Sequence, residues 1–523
     1  DGFKDAYQQY VAGGWPTLSQ SVEFGGQGLP HSLNTAISEC MSAANHSFAM
    51  YPGLSHGALA TIEAHGSQTQ KQQFMPKLVE GNWTGTMCLT EPHCGTDLGM
   101  LRTKAELNDD GSYAITGTKI FISAGDHDLS DNIVHIVIAR IPGSPEGSKG
   151  ISLFIVPKFN IDAAGEIEDR NQVGCGSIEH KMGINANATC VINFDGAKGY
   201  LIGEVNKGLN CMFTFMNAAR LGVALEGTAA AEASFQGALA YAKDRLQMRS
   251  ISGVKNPTGP ADPIIVHPDV RRMLLTQKSI AEGGRALVAY LAKLVDITHV
   301  ETDSENRTEA NNKLALLTPI AKAFLSELGF EATSHGVQIF GGHGFIKEWG
   351  MEQLMRDTKI SCLYEGTTGI QALDLLARKV LGSNGELLKP FLTEIAALCQ
   401  SNIADDNAPQ LAYSLLSYVE QWQTLTQTVG EKAMVNRDEI GGASVDYLMF
   451  CGYVTLGYFW LKMANVAQQK IDSGSQESDF YQSKIHTADF YFKRMLPRAK
   501  GHAACIEGGV DSMMALDSEH FSF

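Results

Sequence analysis

The sequence contains no CxxC pair and no HExxH, and its ten cysteines stand apart at 40, 88, 94, 175, 190, 211, 362, 399, 451 and 505. The first absence excludes a zinc ribbon and a thioredoxin-type site, and the second a zincin centre. Scattered cysteines of this kind read as buried, reduced thiols, and no metal cluster is expected. Long apolar runs are also missing. The longest uncharged one, YLMFCGYVTLGYFWL (Tyr447–Leu461), has fifteen residues between Asp446 and Lys462. A membrane span needs about 20, so this run reads as a buried helix. Positive charge is scarce: a net charge of −16 over 523 residues argues against a broad nucleic-acid-binding face, though not against one local basic patch for a phosphorylated ligand. No signal peptide and no tandem repeat is visible. What remains is ordinary for a globular protein, with 44% hydrophobic and 19% charged residues and length for two to four domains.

The texture changes three times along the chain. Residues 1–85 read as helical after an irregular start, with SLNTAISECMSAANHSFAMY at helical spacing and Ser67 capping a helix that stops at Gly81. Residues 86–203 carry short β-branched runs such as YAITGTKIFIS, NIVHIVIAR, GISLFIVP and ATCVINFDG, with Asp110-Gly111 as a hairpin turn. This predicts an antiparallel β domain. Residues 204–384 return to helix, interrupted by a loop at 254–269 that holds four prolines. Residues 385–523 add a further helical block. The fold class is therefore α+β, in the order α, β, helical bundle, extra α.

Four motifs can carry chemistry. In MCLTEPHCGTD (Met87–Asp97), small residues beside a strand let a ligand approach the backbone, and Thr90 and Thr96 can bond a flat cofactor edge; an ordinary turn is the plainer alternative. In KIFISAGD, strand alternation puts Phe121 and Ser123 on one face, a platform and a donor, against the alternative of a core Phe with a surface Ser. QIFGGHGF (Gln338–Phe345) lacks GxGxxG spacing and a preceding strand, so it is no dinucleotide fingerprint; its glycines admit a bulky ligand or simply cap a helix. LYEGTTGIQALDL puts Glu365 at the mouth of a glycine-rich turn that opens a helix, an address that suits a base better than a solvated charge.

Together, TEPHCGTD, KIFISAG, QIFGGHGF and YEGTTGIQ resemble the acyl-CoA dehydrogenase family over roughly residues 20 to 380. IEHKMGI, RLQMRS and the C-terminal block resemble its longer subgroup, which includes 3-methylmercaptopropionyl-CoA dehydrogenases and related bacterial fatty acyl-CoA dehydrogenases. The resemblance implies an N-terminal α domain, a middle β domain, a helical bundle and a C-terminal helical extension. It implies FAD as cofactor and α,β-dehydrogenation of an acyl-CoA to the trans-2-enoyl-CoA. Glu365 matches the base that removes the α-proton, while the flavin takes the β-hydride. An unperturbed Glu, at about 4.3, is too weak for this, and desolvation would strengthen it. In members that carry the base on another helix it precedes an arginine, here Arg220; the residue before it is Ala219, which leaves Glu365 without a rival.

By the same resemblance Met87, Leu89, Thr90, Phe121 and Ser123 meet the flavin, with Thr90 and Ser123 bonding its ring, and Gly95 and Thr96 match the loop near the pyrophosphate and substrate. Met87 stands where an aromatic is common and Phe121 where a tryptophan is. Arg245, Gln338, Gly341 and Gly342 match a site for the pyrophosphate of the neighbouring subunit's FAD, and Thr367 and Gln371 match contacts to its adenosine end. Met248 replaces a phenylalanine that packs the adenine. Thr96, Arg220, Tyr364 and Gly366 fall on the substrate side. A shared cofactor implies a homo-oligomer, and the C-terminal block favours a dimer; electron-transfer flavoprotein is the expected acceptor. A cytoplasmic, bacterial-type location in fatty-acid β-oxidation is expected. The chain opens on Asp1 and its first helices look short for the family, so its start is expected to be incomplete.

Three other readings compete: an acyl-CoA oxidase, a flavin-bearing DNA-associated protein, and a pseudoenzyme. The acidic charge disfavours the second, and Glu365 the third. The protein is expected to pass unretained over immobilised duplex DNA at low salt; salt-dependent retention would reverse that exclusion.

Overall fold

The computed structural model describes residues 2–522. Four helices come first: α1 (Phe3–Ala12), α2 (His31–Ala44), α3 (His46–His65) and α4 (Gln68–Glu80). The chain is thus helical almost from its start, where an irregular segment was expected. Helix α4 begins and ends as its sequence dictates. The Ser67 hydroxyl accepts from Gln70 N–H while the Gln70 side chain accepts from Ser67 N–H, and Gly81 closes the helix at φ 82°.

Strands begin at Trp83, slightly before the expected 86: β1 (Trp83–Cys88), β2 (Lys104–Leu107), β3 (Tyr113–Ser123), β4 (Asn132–Ala139), β5 (Ser152–Pro157), β6 (Phe159–Ile161), β7 (Ile167–Arg170), β8 (Val173–Ile178) and β9 (Thr189–Ile202). The main sheet runs β1-β4-β5-β9-β3-β2 with β8 on β9, and β6 and β7 pair separately. All pairs are antiparallel except β1 with β4, which are parallel. The expectation of a purely antiparallel domain fails there because β1 leads into β2 and β3 and not directly into β4, so the turn chemistry of hairpins does not apply to that pair. The β2–β3 hairpin turns at Asp110-Gly111, with Gly111 at φ 83°.

The remaining α-helices are α5 (Gly208–Asp244), α6 (Pro268–Val300), α7 (Ser304–Phe340), α8 (Met351–Lys359), α9 (Thr368–Leu373), α10 (Leu388–Ala404), α11 (Pro409–Val435), α12 (Asp438–Asp472), α13 (Ser478–Phe490), α14 (Ala499–Gly508) and α15 (Asp511–Met514). Directly after α9 the helix widens to π geometry over Asp374–Leu381. The chain forms two compact units that part inside α5, between Gly222 and Val223.

In the first unit, one core lies between α3, α4 and the sheet around Ile62, Phe74, Trp83 and Phe215; another fills the sheet's other side around Ile115, Phe154 and Phe194. In the second unit, the run Tyr447–Leu461 is the buried middle of α12, as its length required. No helix among the described residues is long and apolar enough to cross a membrane. All ten cysteines are free thiols; Cys40 and Cys505 are exposed and Cys175 half-buried, so burial holds only for the other seven. No cluster of possible metal ligands occurs among the described residues.

Helices α5 and α7 meet backbone to backbone. A Cβ on Gly227 would stand 2.3 Å from the Leu325 carbonyl oxygen, and one on Gly329 would stand 2.5 Å from that of Gly227. Only glycine permits this approach. Gly227→Ala is expected to lower stability by about 1–3 kcal/mol, the usual cost of overpacking, read as a lower urea midpoint. An unchanged midpoint would mean that the helices can separate freely.

Candidate functional site

In the first unit, the loop after β1 is docked onto β3. Ile120 N–H donates to the Thr90 carbonyl (2.9 Å), and Glu91 and Cys94 exchange two backbone hydrogen bonds. Beneath this loop lies a sealed ion pair. Lys119, fully buried, donates to Glu91 Oε1 (2.8 Å) and to the Leu89 carbonyl (2.9 Å). Glu91 also accepts from Arg102 N–H, Thr103 N–H and the Thr103 hydroxyl. Burial alone would raise the Glu91 carboxyl, but the Lys119 charge and these donors bring it down to about 2. The loop residues Gly95 and Thr96 are exposed above the pair, while Met87 and Leu89 pack partly into the core.

β3 breaks its alternation next to Lys119. Its register with β9 shifts between Lys119 and Ile122, and Phe121 takes φ 59°. The bulge turns Phe121 outward, 60% exposed, so it is not the core Phe of the plainer alternative. The face-sharing of Phe121 and Ser123 expected from a regular strand does not carry through a bulge. Ser123, half-buried, ends the strand opposite Thr189. Arg220 is buried on α5, over the Phe213 ring at 5.9 Å and donating to Asn217.

In the second unit, the ends of α5 and α7 come together. Tyr241 stacks on Phe340 with ring centres 4.2 Å apart, and its hydroxyl lies 2.9 Å from His343 Nδ1. Arg245, Gln338, Gly341 and Gly342 are all exposed at this end. No atom lies within 4 Å of where a Cβ on Gly341 or Gly342 would stand. Met248 (φ 60°) and Phe345 are exposed there too, at 72% and 83%.

Glu365 occupies a left-handed conformation, φ 57°, followed by Gly366 at φ 92°. For a residue with a Cβ this costs roughly 1–3 kcal/mol and needs outside support. The support is present. Lys322, fully buried on α7, donates to the Ser361 carbonyl (2.8 Å) and the Gly366 carbonyl (2.6 Å). The Gln371 amide donates to the Glu365 carbonyl (3.1 Å). Thr367 caps α9, and Glu327 on α7 accepts from the Thr368 hydroxyl (2.6 Å). On the other side Tyr364 and Ser361 donate their hydroxyl protons to Glu226 Oε2 on α5. Burial first, and the Glu226 charge second, keep the Tyr364 phenol well above its ordinary pKa, so it remains a donor. Glu365 Oε2 is withdrawn from water.

The comparisons with known proteins come to one family. Residues 2–82, 86–197 and 206–381 match the N-terminal, middle and C-terminal domains of acyl-CoA dehydrogenases, and 391–517 match an acetyl-CoA dehydrogenase C-terminal-like domain. The 3-methylmercaptopropionyl-CoA dehydrogenase of Ruegeria pomeroyi is 43% identical over 98% of this chain and 87% of its own. The chain belongs to the acyl-CoA dehydrogenase family. The broad-specificity linear acyl-CoA dehydrogenase FadE5 of Mycobacterium tuberculosis is 34% identical over 100% of this chain and 87% of its own. An acyl-CoA dehydrogenase of Bacillus anthracis, solved with FAD, shares the fold at a TM-score of 0.78 and 22% identity, over 96% of this chain and 82% of that one. This acyl-CoA dehydrogenase is therefore an oxidoreductase that acts on the CH–CH bond of an acyl-CoA with FAD. The oxidase and DNA-associated readings are not favoured.

The residues present fit an FAD. In the first unit Phe121 offers an apolar ring to something flat. In the second, Gln371 keeps a buried Oε1 that has no hydrogen-bond partner among the described residues, and the glycines at 341 and 342 leave an open cradle.

Sequence reasoning missed the residues that hold these loops: Glu91, Lys119, Glu226 and Lys322. The signal was there. Glu226 and Lys322 are lone charges inside GVALEGTAAA and TPIAKAFLS, where a charge must find a partner. Lys119→Met is expected to cost about 3–5 kcal/mol at pH 7, because it strands the buried Glu91 carboxylate. The deficit should shrink as pH falls and Glu91 takes up a proton, and Glu91→Gln should recover part of it. Urea unfolding at pH 7 and pH 5 checks this; a deficit that does not change with pH would mean that the pair carries no charge.

Proposed function

We propose that Glu365 is the base of the dehydrogenation, taking the α-proton of an acyl-CoA thioester. The observation that carries this is the held left-handed backbone at Glu365, with a carboxylate oxygen turned away from water. Strain of that kind persists where the surroundings over-determine it, and functional residues are its usual sites. An acyl chain and flavin packed over Glu365 would strip more water from it, and a desolvated carboxylate is a stronger base than one in solution. FAD, when bound, supplies the acceptor for the β-hydride.

The chain's other residues bind and orient. Thr90 and Ser123 are the hydrogen-bonding residues for the flavin ring, Phe121 is its apolar neighbour, and Met87, Leu89, Gly95 and Thr96 shape the loop beside it. Arg245, Gln338, Gly341 and Gly342 take the pyrophosphate of a second copy's FAD. The exposed Met248 and Phe345 at that end favour a partner chain there. Thr367 and Gln371 serve the adenosine end, Gln371 through its remaining Oε1. On the substrate side stand Thr96, Arg220, Tyr364 and Gly366.

The reading extends to a homodimer that passes electrons to electron-transfer flavoprotein, in the cytoplasm, within fatty-acid β-oxidation. The substrate is 3-methylmercaptopropionyl-CoA, the compound in the name of the Ruegeria relative, or a straight-chain fatty acyl-CoA. Anaerobic titration of the FAD-loaded protein with acyl-CoAs from propionyl to palmitoyl, 3-methylmercaptopropionyl included, decides between them. The expected outcome is flavin bleaching by one group of thioesters. Glu365→Gln should keep FAD and lose about 10²–10⁴-fold in rate; near-normal turnover would reject the assignment. Light scattering should return a dimer, and a tetramer would overturn that part.

A further inference from the structure

We infer that Lys322 and Glu226 are positioning residues for the proton-abstraction step, acting as a two-sided clamp on the Ser361–Gly366 loop that carries Glu365. The inference rests on Glu365 being the base. Three observations support it. The Lys322 ammonium is sealed from water, yet it spends two of its donors on backbone carbonyls five residues apart, Ser361 and Gly366. These two carbonyls flank Glu365, so one rigid charge sets the path of the chain across the base. From the opposite side, Glu226 takes the hydroxyl protons of Ser361 and Tyr364, the latter being the immediate neighbour of Glu365. Lys322 and Glu226 themselves sit on α7 and α5, which the Gly227–Gly329 approach fixes against each other. The clamp is thus built on two helices that cannot slide without a backbone clash.

A plain structural reading would have Lys322 and Glu226 merely cancel charge in a helical core. Yet the ammonium donates to two carbonyls and the carboxylate accepts from two hydroxyls that all belong to one six-residue loop, the one that carries Glu365. Carbonyl and hydroxyl partners set geometry. A misplacement of about 1 Å at a reacting group can cost about 10²-fold in rate, and a left-handed Glu365 has no regular secondary structure to fall back on.

The test uses the FAD-loaded protein with butyryl-CoA and 3-methylmercaptopropionyl-CoA, each also deuterated at the α-carbon. Stopped-flow flavin reduction gives the limiting rate and the acyl-CoA affinity separately. Lys322→Met and Glu226→Leu are expected to cut the limiting rate by about 10²-fold, leave the affinity within about threefold, and enlarge the α-deuterium isotope effect. Tyr364→Phe, which removes the hydroxyl bond to Glu226, should give a smaller loss of limiting rate. Glu226→Gln, which keeps an acceptor, should recover about tenfold over Glu226→Leu. In the absence of substrate, amide exchange across residues 361–371 should quicken in Lys322→Met. Wild-type limiting rates and isotope effects in Glu226→Leu and Tyr364→Phe would overturn the clamp, and these two variants decide the matter should Lys322→Met not fold. Glu365→Gln, run alongside, separates the two readings: if it reduces at the wild-type rate, the base assignment fails, whereas a dead Glu365→Gln beside unaffected clamp variants rejects the clamp alone.

Discussion

A lysine ammonium with no access to water must give its protons to something, and in each unit it gives them to the loop that carries the candidate chemistry. Lys119 bonds the Leu89 carbonyl and Glu91; Lys322 bonds the Ser361 and Gly366 carbonyls. Loops seldom have the hydrogen-bond ladders that make helices and strands rigid. A buried charged donor substitutes for the ladder, because a bond from an ionised group in a dry interior is stronger than a neutral one and expensive to leave unmade. Near each lysine a residue with a side chain also stands at positive φ: Phe121, in the β3 bulge two positions after Lys119, and Glu365, one before Gly366. The strain and its restraint lie together in each case.

This arrangement explains which features could be read from the sequence and which could not. Helix α4, the β2–β3 hairpin and the buried run of α12 follow local rules: a capping box, an Asp-Gly turn, a length too short for a membrane. Glu365 drew attention in the sequence because its glycine-rich surroundings in YEGTTG have no structural need for a carboxylate, and the structure adds the held left-handed backbone there. The bulge at Phe121 was not legible. Alternation in KIFIS looks regular, but the register shifts just after Lys119, which bonds Glu91 twenty-eight residues earlier in the chain. The clamp was illegible for the same reason. Glu226 and Ser361 are 135 residues apart, and only the helix crossing at Gly227 and Gly329 makes them neighbours. The parallel pairing of β1 with β4 is another such case, since no turn between them records it.

The C-terminal block has a physical role that its own sequence does not suggest. It holds one side of α7. Glu394 of α10 pairs with Lys313 (2.7 Å), Tyr453 of α12 packs edge-on to Phe324 with ring centres 4.9 Å apart, and Arg498 grips Glu331 with 2.8 Å contacts to both oxygens. Positions 313, 324 and 331 are separated by eleven and seven residues, close to three and two turns of an α-helix, so they fall along one face. Lys322 is two positions from Phe324, or about 200° around the helix, on the opposite face. The added helices thus pack on α7 away from Lys322 and beside Glu327. The fit is tight: a Cβ on Gly452 of α12 would stand 2.3 Å from the Phe324 ring. Because α7 bears both Lys322 and Glu327, which hold the beginning and end of the Ser361–Thr368 segment, any slackness in its outer packing would pass directly to Glu365. The extension thus bears on the candidate site through its packing on α7.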